Sequence, residues 1–433
     1  MVPEESRSAD EPTRPTGDDP VSRLPTTSPA PPLETFHATV VGVDRPGVTA
    51  RLFAALTGAS VLDVEQVVVA GQLVLGAVLQ ARAGFGADLA ARLSIAVPDF
   101  EVSVRAVDAA DLGGPAATAT VTLVGQMVPA SAVSQLAGAI ARARGNIMRI
   151  DRVAAYPVTV LALEVATPDL DGLRRSLALQ GAELDVDVSV QPRGLAQRGV
   201  HLVVMDVDST LIQDEVIELL ARFAGREEEV RAVTEAAMRG ELDFAQSLHA
   251  RVAELAGLPA DVVDRARAEI RLTPGARTLC RTLRRLGYRI VLVSGGFHEV
   301  IDPVAAALGV DAVRANRLEI VDGRLTGRVL GSVIDRAAKA AALVEYTAMY
   351  GIDPACTIAI GDGANDLDML AAAGHGIAFN AKPVVQAAAH SAINVPYLDT
   401  VLYMMGISRA DVERADASDA TTGWTESPAG PAG

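Results

Sequence analysis

Residues 201–215, with the sequence HLVVMDVDSTLIQDE, restrict the fold more than any other stretch of the chain. Four apolar residues in a row, as in a strand that is buried on both faces, are followed at once by two aspartates spaced one residue apart. Carboxylates that lie this close repel each other, so a cation or a reacting group is expected beside them. The stretch therefore predicts a buried strand in an α/β sheet, with a charged site at the end of that strand.

The pattern that continues beyond this strand predicts a parallel sheet. Short apolar segments alternate with longer helical ones, which is typical of a Rossmann-like α/β sheet covered by helices on both faces. The predicted strands are residues 201–205, 288–293, 356–360, 375–379 and 391–395. A helix-rich insertion at about 213–270 follows the first strand, and residues 315–331 are predicted to form a hairpin with Asp-Gly at its turn.

Polar motifs follow three of these strands: DVDST after the first, SGG after the second and GDGAND after the third. In parallel sheets, ligands bind beyond the carboxyl ends of the strands. The aspartates of the first and third motifs are therefore expected to meet at one place; they are Asp206, Asp208, Asp362 and Asp366. Mg²⁺ would relieve their repulsion, because it is a hard cation that takes oxygen ligands, and the chemistry that this implies is phosphoryl transfer.

The N-terminal half contains one small α/β module twice. Residues 36–108 have the order strand, helix, strand, strand, helix, strand, and the same order recurs after a Gly-Pro linker at 113–116. This βαββαβ order predicts two ferredoxin-like domains, at 35–110 and 117–191. The domain that carries the aspartates would then occupy residues 192–405.

Both ends of the chain are predicted to be disordered, over residues 1–34 and 410–433. They are rich in small and polar residues and have no hydrophobic period. Such segments cannot bury enough apolar surface to offset the entropy that ordering costs.

Composition argues against several classes of function. A net charge of −16 and an aromatic content of 3% are unfavourable for binding nucleic acid or an anionic membrane surface. No apolar run reaches the ~18 residues of a membrane span, and the acidic N-terminus lacks the apolar core of a signal peptide. Cys280 and Cys356 lie in apolar surroundings, which indicates buried thiols in a reducing compartment. A cytoplasmic protein is therefore expected.

The motifs DVDST, SGG and GDGAND, with a lysine between the last two, resemble those of the haloacid-dehalogenase superfamily. Within it, residues 200–405 resemble phosphoserine phosphatases, chiefly through DVDSTLIQDEVIE, MRGELDFAQSLHARV, LVSGGF and AIGDGANDLDML. The resemblance implies Mg²⁺-dependent hydrolysis of O-phospho-L-serine to L-serine and phosphate through an aspartyl-phosphate, the last step of serine biosynthesis. It also implies that the insertion at 213–270 is a cap that excludes water from the site.

The same resemblance implies the roles of the four aspartates. Asp206 would be the nucleophile and a metal ligand, and Asp208 would be the general acid and base, with its backbone carbonyl as a second metal contact. Asp362 would be the third metal ligand. Asp366 would orient either the metal-bound water or the lysine.

Four further residues are implied to hold the phosphoryl group. Ser294 and the Gly295 amide would bind its oxygens, since glycines let the backbone approach a phosphate closely. Lys339 would neutralise its charge, and Asn365 would make a further polar contact.

Two cap residues are implied to recognise the serine part of the substrate. Glu215 would pair with its ammonium group, and Arg251 would grip its carboxylate with two hydrogen bonds. Phe244 and Met238 would supply apolar walls around it.

The two N-terminal modules resemble ACT domains, which sense amino acids, over about residues 36–190. The best match is DRPGV at 44–48 in the first module, whereas the second module has VGQMVPASAV and lacks this run. The resemblance implies an amino-acid effector such as serine, and the exposed sheet edges of such modules make a homodimer plausible. DRPG is equally well explained as a turn from strand to helix.

Two alternative functions stay open at this point. One is an amino-acid-binding regulatory protein with an inactive catalytic domain, against which the intact DVDST, Lys339 and GDGAND speak. The other is a phosphatase or phosphotransferase of the same fold that acts on another small phosphomonoester.

Overall fold

The computed structural model describes residues 32–108, 116–194, 198–238 and 242–422. The chain divides between Gly114 and Pro115 into two compact units. Most of the N-terminal tail that was predicted to be disordered lies outside the described residues. Among the residues that are described, no helix combines the length and the apolar character needed to cross a membrane.

The first unit is a four-stranded antiparallel sheet with two helices. Its elements are β1 (Leu33–Val43), α1 (Val48–Ala55), β2 (Ser60–Val69), β3 (Gln72–Arg82), α2 (Phe85–Ala96) and β4 (Glu101–Val107). The strand order is β2-β3-β1-β4. Alternate residues of β3, such as Leu73 and Leu75, share one core with Leu52 of α1 and Leu89 of α2, because strand side chains point alternately to opposite faces. The first predicted ferredoxin-like module is confirmed.

The second module repeats this order within the second unit. Its elements are β5 (Ala119–Gly125), α3 (Ala130–Arg142), β6 (Asn146–Ala154), β7 (Thr159–Ala166), α4 (Leu170–Leu184) and β8 (Asp187–Pro192). Helix α4 ends where Asp185 takes the left-handed backbone conformation, with φ of 53°. The last strand of the module therefore begins only at Asp187.

Seven strands follow in the rest of the second unit. They are β9 (Leu202–Met205), β10 (Arg289–Phe297), β11 (Ala312–Val321), β12 (Arg324–Leu330), β13 (Thr357–Gly361), β14 (His375–Phe379) and β15 (Ser391–Ile393). The strands β11-β10-β9-β13-β14-β15 are parallel, and β12 returns antiparallel to β11 through a turn at Asp322 and Gly323. Both the predicted Rossmann-like sheet and the predicted hairpin are confirmed.

Helices cover both faces of this parallel sheet. Those outside the insertion are α9 (Ala276–Arg285), α10 (His298–Leu308), α11 (Arg336–Met349), α12 (Leu367–Ala372), α13 (Pro383–Gln386) and α14 (Thr400–Met404). Alternate residues of β10 belong to different cores: Ile290 packs with the α9 and α10 side, and Val291 packs with the α11 and α12 side. This double burial explains why the strands are apolar throughout.

The second module and the parallel sheet form one continuous sheet. Strand β8 pairs antiparallel with β15, with Ser189 opposite Ser391, so the sheet contains eleven strands. The Asp187 carboxylate strengthens this junction by accepting hydrogen bonds from the backbone and the side-chain nitrogen of Asn394, both at 2.7 Å. The predicted division between residues 191 and 192 therefore lies at a junction that backbone pairing spans.

The insertion after β9 forms a helical cap. Its helices are α5 (Val216–Ala224), α6 (Glu227–Met238), α7 (Phe244–Ala253) and α8 (Asp261–Glu269). The hairpin β11-β12 is tied to the cap by backbone hydrogen bonds, from Gly257 N to Leu325 O at 2.8 Å and from Leu325 N to Leu258 O at 2.9 Å. The cap is thus anchored at a point away from its own two chain connections.

The predicted disorder of the C-terminal tail is wrong up to Thr422. Residues Arg409–Thr422 form helix α15, and the rest of the tail lies outside the described residues. Val412 is buried, and the Asp416 carboxylate accepts hydrogen bonds at 2.6 Å from both Arg281 and Arg285. The polar composition of the tail predicted disorder. Composition cannot show that two arginines from a distant part of the chain hold the helix.

Candidate active site

Strand β9 delivers Asp206 to the carboxyl edge of the sheet. The four residues of the strand are fully buried, and Asp206 itself is 3% exposed. The chain then turns tightly over Val207–Leu211, where Ser209 takes the left-handed backbone conformation with φ of 54°. The Val207 backbone N–H donates to Asp206 Oδ1 at 2.7 Å, which fixes the carboxylate at the start of the turn.

Three carboxylates and one lysine form the centre of the site. Asp206, Asp362 and Asp366 each place a carboxylate oxygen within 4.8 Å of the other two. Lys339 Nζ lies 2.8 Å from Asp206 Oδ2 and 2.7 Å from Asp366 Oδ1, and the lysine is 0% exposed. Burial by itself would lower the pKa of Lys339, but the two carboxylates outweigh burial and raise it above its usual value.

The same cluster has the composition of a divalent cation site. Burial, followed by the repulsion of Asp366, raises the pKa of Asp362 to about 6 and also raises the pKa of Asp206. When all three carboxylates are ionised, they exceed the one ammonium group by two negative charges. The oxygen donors and this charge fit a hard cation such as Mg²⁺, which would favour the ionised carboxylates.

Asp208 faces away from this cluster although it is only two residues from Asp206. Its Oδ1 accepts a hydrogen bond from the Val216 backbone N–H at 2.8 Å, and its Oδ2 accepts one from Ser294 Oγ at 3.2 Å. Burial raises the pKa of Asp208. The two neighbouring aspartates therefore have different partners, as different chemical roles would require.

The Ser-Gly-Gly turn, an irregular stretch within the last part of β10, faces Asp208 and the cap. The Gly296 backbone N–H donates to Ser294 Oγ at 2.8 Å. A Cβ atom at position 295 would lie 3.2 Å from the ring of Phe244 in the cap, and one at position 296 would lie 3.1 Å from Asp208 Oδ2. Larger residues would therefore crowd both sides of the turn, which explains the two glycines.

Glu215 and Arg251 bring opposite charges to the cap side of the site. Glu215 Oε1 accepts a hydrogen bond from Ser209 Oγ at 2.9 Å. Burial, followed by the repulsion of Asp208, raises the pKa of Glu215 to about 7. Burial lowers the pKa of Arg251, against the attraction of Glu215 and Asp208. A substrate that carries both an ammonium and a carboxylate group would match this pair.

Two further residues that were predicted to surround the site are Asn365 and Met238. Asn365 is half-buried in the short turn Ala364–Asp366, immediately before Asp366. The side chain of Met238, predicted as an apolar wall, lies outside the described side chains.

Two residues of DVDST for which no role was predicted also belong to the site. Ser209 holds Glu215, and Thr210 Oγ1 donates to Asp362 Oδ1 at 3.1 Å. Thr210 is held in turn by Thr273, whose Oγ1 donates to its backbone oxygen at 2.7 Å. Their position inside the motif could have predicted these roles, because hydroxyl groups commonly orient the acidic ligands beside them.

Models of known protein families match three parts of the chain. Residues 203–371 match haloacid dehalogenase-like hydrolases. Residues 34–107 and 117–191 each match an ACT domain. The ACT-domain resemblance of both N-terminal modules is therefore confirmed.

Similar proteins extend over nearly the whole chain. A phosphoserine phosphatase of Streptomyces coelicolor is 53% identical over 389 residues, which cover 89% of this chain and 95% of that protein. The phosphoserine phosphatase SerB2 of Mycobacterium tuberculosis is 47% identical over 399 residues, covering 90% and 98%. A crystal structure of a probable phosphoserine phosphatase from Vibrio cholerae has a TM-score of 0.54 and 31% identity, covering 68% of this chain and 88% of that one.

The capped parallel sheet and the carboxylate cluster define a haloacid dehalogenase-like hydrolase. With about half of its residues identical to relatives that it covers almost completely, the chain belongs to the phosphoserine phosphatase family. It is an enzyme, a phosphatase.

Proposed function

We propose that this phosphatase hydrolyses O-phospho-L-serine to L-serine and phosphate, as the final step of serine biosynthesis. The observation that carries the proposal is the presence of two opposite charges, Glu215 and Arg251, on the cap side of the site, near enough to attract each other. A phosphate site alone would serve many phosphomonoesters. The two opposite charges beside it match the ammonium and carboxylate groups of an amino acid.

In the proposed reaction, a carboxylate oxygen of Asp206 attacks phosphorus while the bond from phosphorus to the serine oxygen breaks. Asp208 gives its proton to the departing serine oxygen, and the pKa that burial raises helps it to hold that proton beforehand. The product of this step is an aspartyl-phosphate. The ionised Asp208 then takes a proton from the water that attacks this intermediate, which returns both aspartates to their starting states.

Several groups would hold the phosphoryl oxygens during both steps. Lys339 faces Asp206 at 2.8 Å, and Ser294 and the Gly295 amide lie on the turn that faces Asp208. Asn365 would add a polar contact. Asp366 would orient Lys339, whose Nζ donates a hydrogen bond to Asp366 Oδ1 at 2.7 Å. Such positioning and neutralisation are most of what phosphoryl transfer needs.

Mg²⁺ is the proposed cofactor. The carboxylates of Asp206 and Asp362 and the backbone carbonyl of Asp208 would hold it, and when bound it would supply positive charge that neutralises the phosphoryl oxygens. The excess negative charge of the cluster supports this choice.

A panel of phosphomonoesters, assayed with and without Mg²⁺, tests the proposal. We expect kcat/KM for phosphoserine to exceed that for sugar phosphates by roughly 10²-fold or more, because the latter leave Glu215 and Arg251 unpaired. Chelation of metal should abolish turnover, and Mg²⁺ should restore it. Equal turnover of sugar phosphates would contradict the specificity, a preference for phosphothreonine would shift it, and no turnover at all would favour a regulatory protein.

The ionisation of Glu215 should appear in the pH dependence of KM. A carboxyl group with a pKa of about 7 is ionised above that pH and neutral below it. Only the ionised form pairs with ammonium, so KM should rise by roughly tenfold per pH unit below 7. Glu215→Gln should have a high KM at every pH, with no further increase below pH 7.

Asp214→Asn is the matched control for this pH experiment. Asp214 is adjacent in sequence but is paired with Arg271 at 2.7 Å. Its removal should leave the pH profile of KM unchanged. The same acidic rise in KM in both Glu215→Gln and wild type would show that another group, such as the substrate phosphate, causes it.

The first ACT module is proposed to bind serine as an effector, with DRPGV at 44–48 as the site. Gly47 has a φ of 85°, so the run also serves as a turn that needs glycine. A homodimer is proposed through the edge strand β2, all ten residues of which are exposed. Calorimetry of L-serine binding to the full chain tests the effector, and the absence of binding heat would contradict it. Light scattering with and without L-serine tests the dimer, and a monomer at all protein concentrations would contradict it. The cytoplasm is the proposed location, in keeping with the buried Cys280 and Cys356.

A further inference from the structure

We propose that Asn316 is a positioning residue that holds the phosphate-binding turn in place relative to the helix of Lys339. No role was predicted for it from the sequence, where it lies at the start of the hairpin. The inference rests on the proposed function, because it concerns how the same site holds a phosphoryl group.

The Ser-Gly-Gly turn lies inside β10, where the pairing of this strand with β11 is irregular. Strands β10 and β11 pair at Val293 with Arg314 and again at Phe297 with Asn316. Between these two points, three residues of β10 face a single residue of β11. The residues of the turn therefore lack the regular pairing with β11, and their buried polar groups need other partners.

Asn316 supplies one of those partners from the neighbouring strand. Its side chain is 1% exposed, and its Nδ2 donates to the backbone oxygen of Gly295 at 2.8 Å. Its Oδ1 accepts from the backbone N–H of Ile334 at 2.9 Å. One buried amide thus uses its donor and its acceptor on two separate backbone segments, which an apolar side chain of the same shape could not do.

The bond to Gly295 sets the orientation of the peptide that follows it. The Gly295 carbonyl and the Gly296 N–H belong to one planar peptide group. Asn316 holds the oxygen of this group, and Ser294 Oγ holds its N–H at 2.8 Å. Because Ser294 Oγ also donates to Asp208 Oδ2, the orientation of the peptide is coupled to the proposed general acid.

The bond to Ile334 connects the same amide to Lys339. Ile334 immediately precedes Asp335, whose side chain caps helix α11 by accepting from Ala338 N at 2.8 Å. The Lys339 backbone N–H donates to Asp335 O at 3.0 Å. The beginning of α11, and with it the base of the Lys339 side chain, is therefore tied to the phosphate-binding turn through Asn316.

Asn316 accordingly acts through its neighbours on the group that is transferred. The turn and Lys339 are proposed to contact oxygens of one phosphoryl group, so their spacing decides whether both can act together. A displacement of about 1 Å in such an arrangement can cost on the order of 10² in rate. The recognition of serine by Glu215 and Arg251 does not pass through this amide.

The test compares the full-length enzyme with Asn316→Leu, which keeps the approximate shape of the side chain and removes both hydrogen bonds. Four quantities are measured: kcat and KM for phosphoserine, the inhibition constant of orthovanadate, which mimics a phosphoryl group in transfer, and Tm. We expect kcat to fall by roughly 10²-fold and inhibition by orthovanadate to weaken by roughly tenfold or more, with KM within about threefold of wild type.

Asn394→Leu is the control for losing an amide that makes two hydrogen bonds, here at an exposed position. Asn394 also makes side-chain hydrogen bonds in both directions, with Asp187 and Gln386 at 2.7 Å, but at the junction of β8 and β15. It should lower Tm while leaving kcat and orthovanadate inhibition unchanged. Equal losses of kcat in both variants would show a merely structural role and would overturn the inference.

The remaining outcomes are also decisive. Unchanged kcat and orthovanadate inhibition in folded Asn316→Leu would overturn the inference. Asn316→Ser, in which a smaller side chain keeps a hydroxyl group, replaces it if the leucine variant does not fold, and the same criteria apply. If wild type fails to hydrolyse phosphoserine, the proposed function is wrong, and calorimetry of orthovanadate binding to wild type and variant then decides the role of Asn316 separately.

Discussion

The Asp206→Asn variant is expected to lose phosphoserine turnover by roughly 10⁴-fold or more and to form no phosphoenzyme. Asparagine has the shape of aspartate, but its neutral amide is a far weaker nucleophile. The fold should persist, because Lys339 keeps its 2.7 Å contact with Asp366. Single-turnover kinetics and mass spectrometry of acid-quenched enzyme measure the two losses, and a thermal melt measures the fold.

Asp264→Asn is the control for this substitution. Asp264 is an exposed carboxylate of the cap that pairs with Arg267 at 3.0 Å, and the same chemical change there should leave turnover intact. Substantial turnover in Asp206→Asn, or a phosphoryl group that remains attached to it, would refute the assignment of the nucleophile.

The Lys339→Met variant is expected to lose both activity and stability. The change leaves Asp206 and Asp366 buried and facing each other without the ammonium group between them. Breaking a buried charge network in this way costs about 3–5 kcal/mol of unfolding free energy. Loss of the charge that faces the phosphoryl group should lower kcat by roughly 10³-fold. Denaturant titration and steady-state kinetics in saturating Mg²⁺ measure these effects.

The chain contains one other lysine, which provides the control. Lys382 is exposed and precedes helix α13, so Lys382→Met should change stability by less than about 0.5 kcal/mol and leave kcat unchanged. A folded Lys339→Met enzyme with nearly normal kcat would show that the lysine serves the carboxylates and not the phosphoryl group.

The centre of the site could be predicted because strand ends in a parallel sheet converge. Asp206 and Asp362 follow buried apolar strands, and β9 and β13 are neighbours in the sheet. Placing the motifs at strand ends was therefore sufficient to bring the carboxylates together. The position of Lys339 on a helix could not be derived in this way, since a lone helical lysine has no pattern that distinguishes it from a surface residue. Its place came from the resemblance.

The orientation of Asp208 and the role of Asn316 were beyond the reach of sequence patterns. Asp208 turns toward Val216 and Ser294, the second of which is 86 residues away in the chain. Asn316 is an ordinary polar residue in a predicted hairpin, and only the irregular pairing of β10 with β11 gives it partners. Side-chain direction depends on neighbours from distant segments, which local periodicity does not contain.

Likewise, the secondary-structure elements could be predicted from the sequence, whereas the contacts that join them could not. Apolar residues that recur every two or about every 3.6 residues show which side of a strand or helix is buried. The modules and the parallel sheet could therefore be predicted from this spacing alone. The pairing of Ser189 with Ser391 and the docking of α15 through Asp416 depend on contacts across roughly two hundred and more than one hundred residues. The modules, the strand ends and the chemical class of the site could be predicted from the amino-acid sequence, because they follow from local burial and charge. The different partners of Asp206 and Asp208 and the contacts of Asn316 are visible only in the folded chain, because they depend on which groups long-range packing brings within hydrogen-bonding distance.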